Sequence, residues 1–240
     1  MERKYDEIER LMLSMRDEGQ AVNLSRFFKT GPGQYGEGDV FLGIKVPRTR
    51  EIVKAVWKDC TFDDVEKLVM SPYHEMRLCG LLILVQLFGH SRKYPGMQER
   101  VVDFYLSHTE YINNWDLVDL SCYEILGRWL MDKDRSILYE LARHGRSLWE
   151  QRIAMVSCMA FVRAGETEDC LAIADLLLHH EHDLMHKAVG WLLREVGNRD
   201  GEVLRGFLAD RYRTMPRTML RYAIEKFPEE ERRKYLKGEV

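Results

Sequence analysis

Apolar side chains recur at three- and four-residue spacing along most of the chain, the period of a helix with one buried face. The pattern predicts helices over 2–18, 21–28, 47–58, 62–70, 73–88, 97–106 and 116–130. Further helices are predicted over 135–144, 148–162, 166–178, 183–196, 202–212 and 217–227. Asp63, Asp64, Asn113 and Asn114 read as caps, Pro47 and Pro216 as first-turn prolines, and Gly165 and Gly197 as exits. No stretch longer than about four residues alternates cleanly, so no sheet is expected. The predicted fold is all-α.

The helices also repeat. The most apolar or chemically unusual ones begin near His74, Trp115, Trp149, His186 and Pro216, and each gap holds one shorter amphipathic helix. A two-helix unit recurring at ~40 residues is the signature of a HEAT-like α-solenoid, in which successive second helices line one concave groove. The chain is therefore expected to be a single repeat domain over residues 1–240. Residues 29–46, KTGPGQYGEGDVFLGIKV, interrupt the pattern with five glycines. A phosphate-cradling loop would need G-x-x-x-x-G-K-[ST] after a strand, and neither is present. An ordered loop at the mouth of the groove is the expectation.

Composition removes several classes. Apolar residues are 45% and charged residues 31% of 240, a globular balance. The longest apolar run, 78–89, is interrupted by Gln86 and is too short to cross a bilayer. The charged N-terminus, MERKYDEIER, is neither a secretory signal nor a transit peptide. Five scattered cysteines without a C-x-x-C pair read as reduced, buried thiols of a cytoplasmic protein. His179, His180 and His182 read as a helix exit, since no ligand cluster stands at zinc spacing, and no metal or cofactor is expected.

The net charge of −3 argues at first against a nucleic-acid partner. Locally the balance differs. Residues 187–226 carry nine basic and five acidic side chains, and residues 26–58 seven and three. Two basic segments at the edges of a groove could hold a polyanion through its phosphates, although mixed charge is also ordinary on a solenoid surface.

Four places carry candidate chemistry. In YINNWDLVDL, Trp115 and Asp119 are four apart and share a helical face, with Asp116 at the helix start. Taken singly, these would be a core anchor, a surface charge and a cap. Arg152 opens an apolar helix, where a cation needs a negative partner or a ring such as Trp149 to stack on. Trp191 lies between Lys187 and Arg194 on nearly one face. The run from Arg205 to Arg221 holds five basic residues and one acidic, Arg217 and Arg221 among the basic ones.

FFKTGPGQYGEGDVFLGIKVP, NNWDLVD, LWEQRIA, HKAVGWLLREVG and MPRTMLRYAIEKFPE, in that order, resemble the bacterial DNA alkylation repair glycosylases of the AlkD-like family. The resemblance runs from about Phe27 to Phe227. It implies a HEAT-like array with a concave DNA-binding groove. It further implies a monofunctional enzyme that excises cationic N3- and N7-alkylated purines, such as 3-methyladenine and 7-methylguanine, from duplex DNA without flipping the base. Carried over by motif, Asp119 is the catalytic carboxylate, Trp115 and Trp191 pack about the lesion's backbone, and Arg152 contacts DNA beside it. Lys45, Arg50 and Arg194 match phosphate contacts, and Lys29, Arg48, Arg163, Lys187, Arg217 and Arg221 are further DNA-binding candidates. No role transfers to Gln34, Tyr35 or Glu37. A monomer is expected, because one groove serves one duplex; the rival reading is a non-catalytic module that binds damaged or branched DNA.

Overall fold

A computed structural model describes residues 3–91 and 94–240. Among them the backbone forms helices and a single isolated bridge, Val40 to Tyr73. The chain divides into two compact units, residues 1–121 and 122–240. Each unit is assembled around one long helix.

The first unit holds α1 (Lys4–Ser14), α2 (Glu18–Phe27), α3 (Val46–Val56), α4 (Phe62–Val69), α5 (His74–Gly89), α6 (Met97–Ser107) and α7 (Trp115–Asp119). At its centre α5 packs against α3, α4, α6 and α7, and from Met76 to Leu84 every residue is buried. A helix surrounded on all sides has no polar face to keep, which is why HEMRLCGLLILV shows little periodicity. Gly80 permits the approach to α4: a Cβ there would lie 2.8 Å from the Val69 side chain. At the other end, α4 begins with a capping box, Thr61 and Asp64 exchanging bonds with each other's backbone. The cap is thus Thr61, with Asp64 as its partner, and Asp63 plays no part in that exchange.

The second unit holds α8 (Ser136–His144), α9 (Leu148–Ser157), α10 (Met159–Ala164), α11 (Glu168–Leu176), α12 (Asp183–Arg199), α13 (Gly201–Ala209), α14 (Arg217–Ala223) and α15 (Glu229–Lys237). Here α12 packs against α9, α10, α11, α13 and α14. Gly190 lets α14 close in, since a Cβ would meet the Met219 carbonyl oxygen and Tyr222 Cβ, each at 2.5 Å. The starts of α5, α7, α9, α12 and α14 follow the repeat spacing read in the sequence, with α6, α8, α11 and α13 between them, although α13 is longer than α14 and both α6 and α8 are longer than α7. The fold is a run of helix pairs of the all-α class.

Several boundaries differ from the sequence reading. The first predicted helix separates into α1 and the start of α2, and Glu2 lies outside the described residues. The helix predicted over 116–130 ends at Asp119 and is followed by a π-turn over Tyr123–Gly127. Ser121 gives a local cause: its hydroxyl donates to the Leu117 carbonyl at 2.5 Å, a back-bond that bends helices. Gly165 does end α10, in the left-handed conformation, but Gly197 lies inside α12, where its missing Cβ admits the Leu204 side chain. Pro216 is the N-cap of α14 rather than its first residue. The helix α15 lies beyond the last helix that the apolar period predicts. All five thiols are free, and four of them are buried. No described helix is long and apolar enough to cross a membrane.

Candidate functional site

In the first unit the glycine-rich segment is anchored before it can contribute to a site. Leu42, Gly43 and Ile44 donate their N–H groups to the buried Glu75 carboxylate, at 2.8, 2.8 and 3.1 Å. A buried carboxylate is costly unless such donors surround it, so loop and α5 stabilise each other. The tip closes on itself: Gly33 donates to Glu37 at 2.8 Å and Gly31 to Gln34 at 3.0 Å. Gln34 and Glu37 therefore serve the loop's own geometry.

This anchoring sets Phe28 and Phe41 at the start of an aromatic cluster. Phe28 stacks on Phe41 at 5.0 Å between ring centroids and on Trp115 at 5.2 Å. Phe27 meets the Trp115 ring edge to face at 6.0 Å, and Phe41 stacks on His74 at 4.6 Å. Beside these rings lies a cavity of about 440 Å³ whose lining includes Phe27, Phe28, Phe41, Lys45, His74, Trp115 and Asp119. Trp115 and Asp119 are half-buried, four residues apart on α7, and reach the same cavity. The structure thus unites the indole and carboxylate that the WDLVD spacing paired, and adds Lys45 at the rim.

Polar groups hold α7 from behind. Asn114 caps it, accepting the Trp115 N–H at 2.9 Å, while its amide donates to Asp39 at 2.8 Å. His74 lies between two carboxylates, with Nδ1 3.1 Å from Asp39 and Nε2 2.9 Å from Asp116. Arg77 pairs with the other Asp39 oxygen and donates to the carbonyls of Ser71 and Pro72. Burial opposes charge on His74, but the bonds to Asp116 and Asp39 outweigh it and raise the imidazole pKa to about 9. Burial likewise works against the Asp39 carboxylate, and His74, Arg77 and Asn114 prevail, holding its pKa below the ordinary value. Asp116 is accordingly part of a buried network, and its second oxygen accepts the Leu117 N–H.

Sequence reasoning missed Phe27, Phe28, Phe41, Asp39 and His74 as members of this site. One signal was present: His74, Glu75 and Arg77 open the most apolar helix of the chain, and polar side chains there require partners.

The basic side chains singled out in this unit are on its surface. Lys29, Lys45, Arg48 and Arg50 are exposed. Lys29 adopts a left-handed φ of 54° and lies over the Tyr35 ring at 6.0 Å, and Arg48 pairs with Glu51 one turn on.

In the second unit, Trp191 and Arg163 line another cavity, of about 430 Å³, with Met159, Val162, Glu195, Asn198 and Arg199. Arg163 lies over the Tyr123 ring at 4.7 Å. Arg152 is buried and donates to the Leu184 carbonyl near the start of α12. Lys187 pairs with Asp183 at 2.7 Å, and Arg194 with Glu225 and with Glu195. Arg217 is exposed and donates to the Leu236 carbonyl at 2.6 Å; Arg221 is exposed.

The fold and the first-unit site define a helical-repeat protein with an aromatic-walled, carboxylate-bearing cavity. The chain belongs to the DNA alkylation repair enzyme family, whose model matches residues 8–227. Membership points to an enzyme that acts in the repair of alkylated DNA. A solved structure described as a predicted DNA alkylation repair enzyme from Enterococcus faecalis is similar, with a TM-score of 0.68 and 14% identity over 90% of this chain and 98% of that one. At that identity the likeness speaks to fold alone. No curated protein matches the sequence.

Proposed function

We propose that the chain is a monofunctional DNA glycosylase that releases cationic N3- and N7-alkylated purines, 3-methyladenine and 7-methylguanine among them, from duplex DNA. The observation that carries this reading is that Trp115 and Asp119 open on one aromatic-walled cavity, in a family that acts on alkylated DNA.

The chemistry fits those groups. An N3- or N7-alkylpurine already bears a positive charge, so it leaves without being protonated. Breaking the C1′–N bond returns the electron pair to the purine and neutralises it, while positive charge develops on the sugar. Asp119 stabilises that charge; a well-placed electrostatic group of this kind supplies about 3–4 kcal/mol. Water then bonds to C1′ and gives its proton to the carboxylate or to solvent. The indole of Trp115 offers a π-face to the cationic sugar and lesion, worth about 2 kcal/mol where water is excluded. Lys45, which lines this cavity, and Arg50 would serve as phosphate contacts in this reading, and Trp191 with Lys187, Arg217 and Arg221 would supply further DNA contacts in the second unit.

The test is to incubate the protein with methylated duplex DNA and measure free bases by chromatography. Release of 3-methyladenine or 7-methylguanine is expected. Retention of the DNA without release of either base would replace this reading with a binding-only module.

A further inference from the structure

We infer that His74 is a positioning residue: doubly protonated, its ring ties the glycine-rich loop, through Asp39, to the first turn of α7, through Asp116, and so sets Trp115 and Asp119 on the cavity. The glycosylase reading enters only in what the positioned residues then do; the tie itself rests on geometry.

Both ring nitrogens of His74 face carboxylate oxygens, at 3.1 and 2.9 Å. A neutral imidazole has one donor and one acceptor, so either tautomer would turn a lone pair towards an ionised carboxylate. With both nitrogens protonated, each carboxylate receives a hydrogen bond. Charge counting agrees. Asp39, Asp116, Arg77 and His74 are all nearly buried, and with His74 charged the four sum to zero. A neutral His74 would leave one buried negative charge uncompensated, at considerable desolvation cost.

The surroundings of the ring are defined on every side. The loop contributes Asp39, and α7 contributes Asp116 with Asn114 before it. From α5 come Arg77, committed to Asp39, and Glu75, committed to the loop amides. The rings of Phe28 and Phe41 lie against the imidazole, at 5.0 and 4.6 Å between centroids. Asp119 and Lys45 are the other ionisable groups of the cavity that His74 borders, apart from Glu75 and Asp116. Asp119 is three residues beyond Asp116 in a helix of only five. A shift of the first turn therefore carries both Trp115 and Asp119 with it. This gives the glycine-rich segment a role: it is the fixed end of the tie.

The test uses the full-length protein and three readouts. Long-range ¹H–¹⁵N correlation spectra, compared with those of His74→Gln, should show both His74 nitrogens protonated at pH 7. A single neutral tautomer would overturn the inference. Trp115 emission, isolated by subtracting a Trp115→Phe variant, should change in His74→Gln and, in the wild type, as pH rises through about 9. Unchanged emission in both cases would also overturn it, and the wild-type titration decides the matter if His74→Gln misfolds. Finally, His74→Gln should slow single-turnover release of 7-methylguanine by about 10²-fold, the scale of a 1 Å misplacement, while the Kd for the duplex stays nearly constant. Should the wild type release no base, the glycosylase reading fails alone, and the spectra and emission still decide the role of His74.

Discussion

Phe28 and Trp115 stack with their ring planes 14° apart and their centroids 5.2 Å apart. Phe28 ends the stretch that leads into the glycine-rich loop, and Trp115 begins α7, so the stack joins two segments distant in sequence. Phe41, at the far end of the loop, lies against the other side of the cluster. The wall of the cavity is thus built largely from residues on either side of the loop.

Phe28→Leu tests the stack while keeping most of the volume. An aromatic pair contributes about 0.5–1.5 kcal/mol beyond its buried area, and hydrophobic swaps of similar volume cost under about 1.5 kcal/mol. Urea unfolding should therefore show a loss of about 1–3 kcal/mol. Release of 7-methylguanine by the folded fraction should fall about tenfold as Trp115 loses its support. A variant with full activity would show that the stack has no part in the site.

Asp119→Asn preserves shape and removes charge. Loss of one electrostatic group at the developing oxocarbenium predicts a fall of about 10²–10³ in single-turnover base release. Duplex binding, read by fluorescence anisotropy, should hardly change. Equal release by variant and wild type would remove Asp119 from the chemistry.

What could be read from the sequence was whatever repeats locally. Helical periodicity located α3, α4, α5, α6, α8 and α12 closely, and the four-residue interval placed Trp115 and Asp119 on one face. The polar helix α15 has no such signature. Its Glu229, Glu230 and Glu231 followed by Arg232, Arg233 and Lys234 leave Tyr235 as the one buried residue, and Glu231 is fixed by Arg205 at 2.7 and 3.0 Å. Pro228 before three glutamates was the available signal. The network behind α7 was illegible for another reason. Asp39 and Asp116 lie 35 and 42 residues from His74, and no period relates them.

Two glycines of the loop should respond differently to alanine. Gly43 has φ +88°, and a Cβ there would lie 2.1 Å from the Asp17 carbonyl oxygen, a contact that only backbone movement relieves. Gly33 has φ +73° with nothing within 4 Å, so alanine there incurs only the left-handed conformational cost of about 1–2 kcal/mol. Urea unfolding should find Gly43→Ala the more destabilised by at least about 1–3 kcal/mol, the usual cost of overpacking. Equal losses would mean that the approach of α2 to the loop is looser than it stands here.

The His74 tie also makes stability depend on pH in a defined direction. The folded-state pKa, about 9, lies above the ordinary value of 6.5, so the folded protein holds this proton more tightly than the unfolded chain does. The contribution is therefore fully present below pH 6.5 and is lost progressively as pH rises towards and through about 9. Its size is on the order of 3 kcal/mol, from about 1.4 kcal/mol per pKa unit. Asp39 acts at the opposite limit. Its pKa is lowered on folding, so its contribution is present above the ordinary 3.8 and disappears as pH falls through the depressed value. Urea unfolding from pH 5.5 to 10 should show wild-type stability declining on the alkaline side. His74→Gln, which carries no such proton, should be flatter over the same window. Parallel alkaline slopes for the two proteins would assign the decline to another group and leave His74 neutral in the folded state.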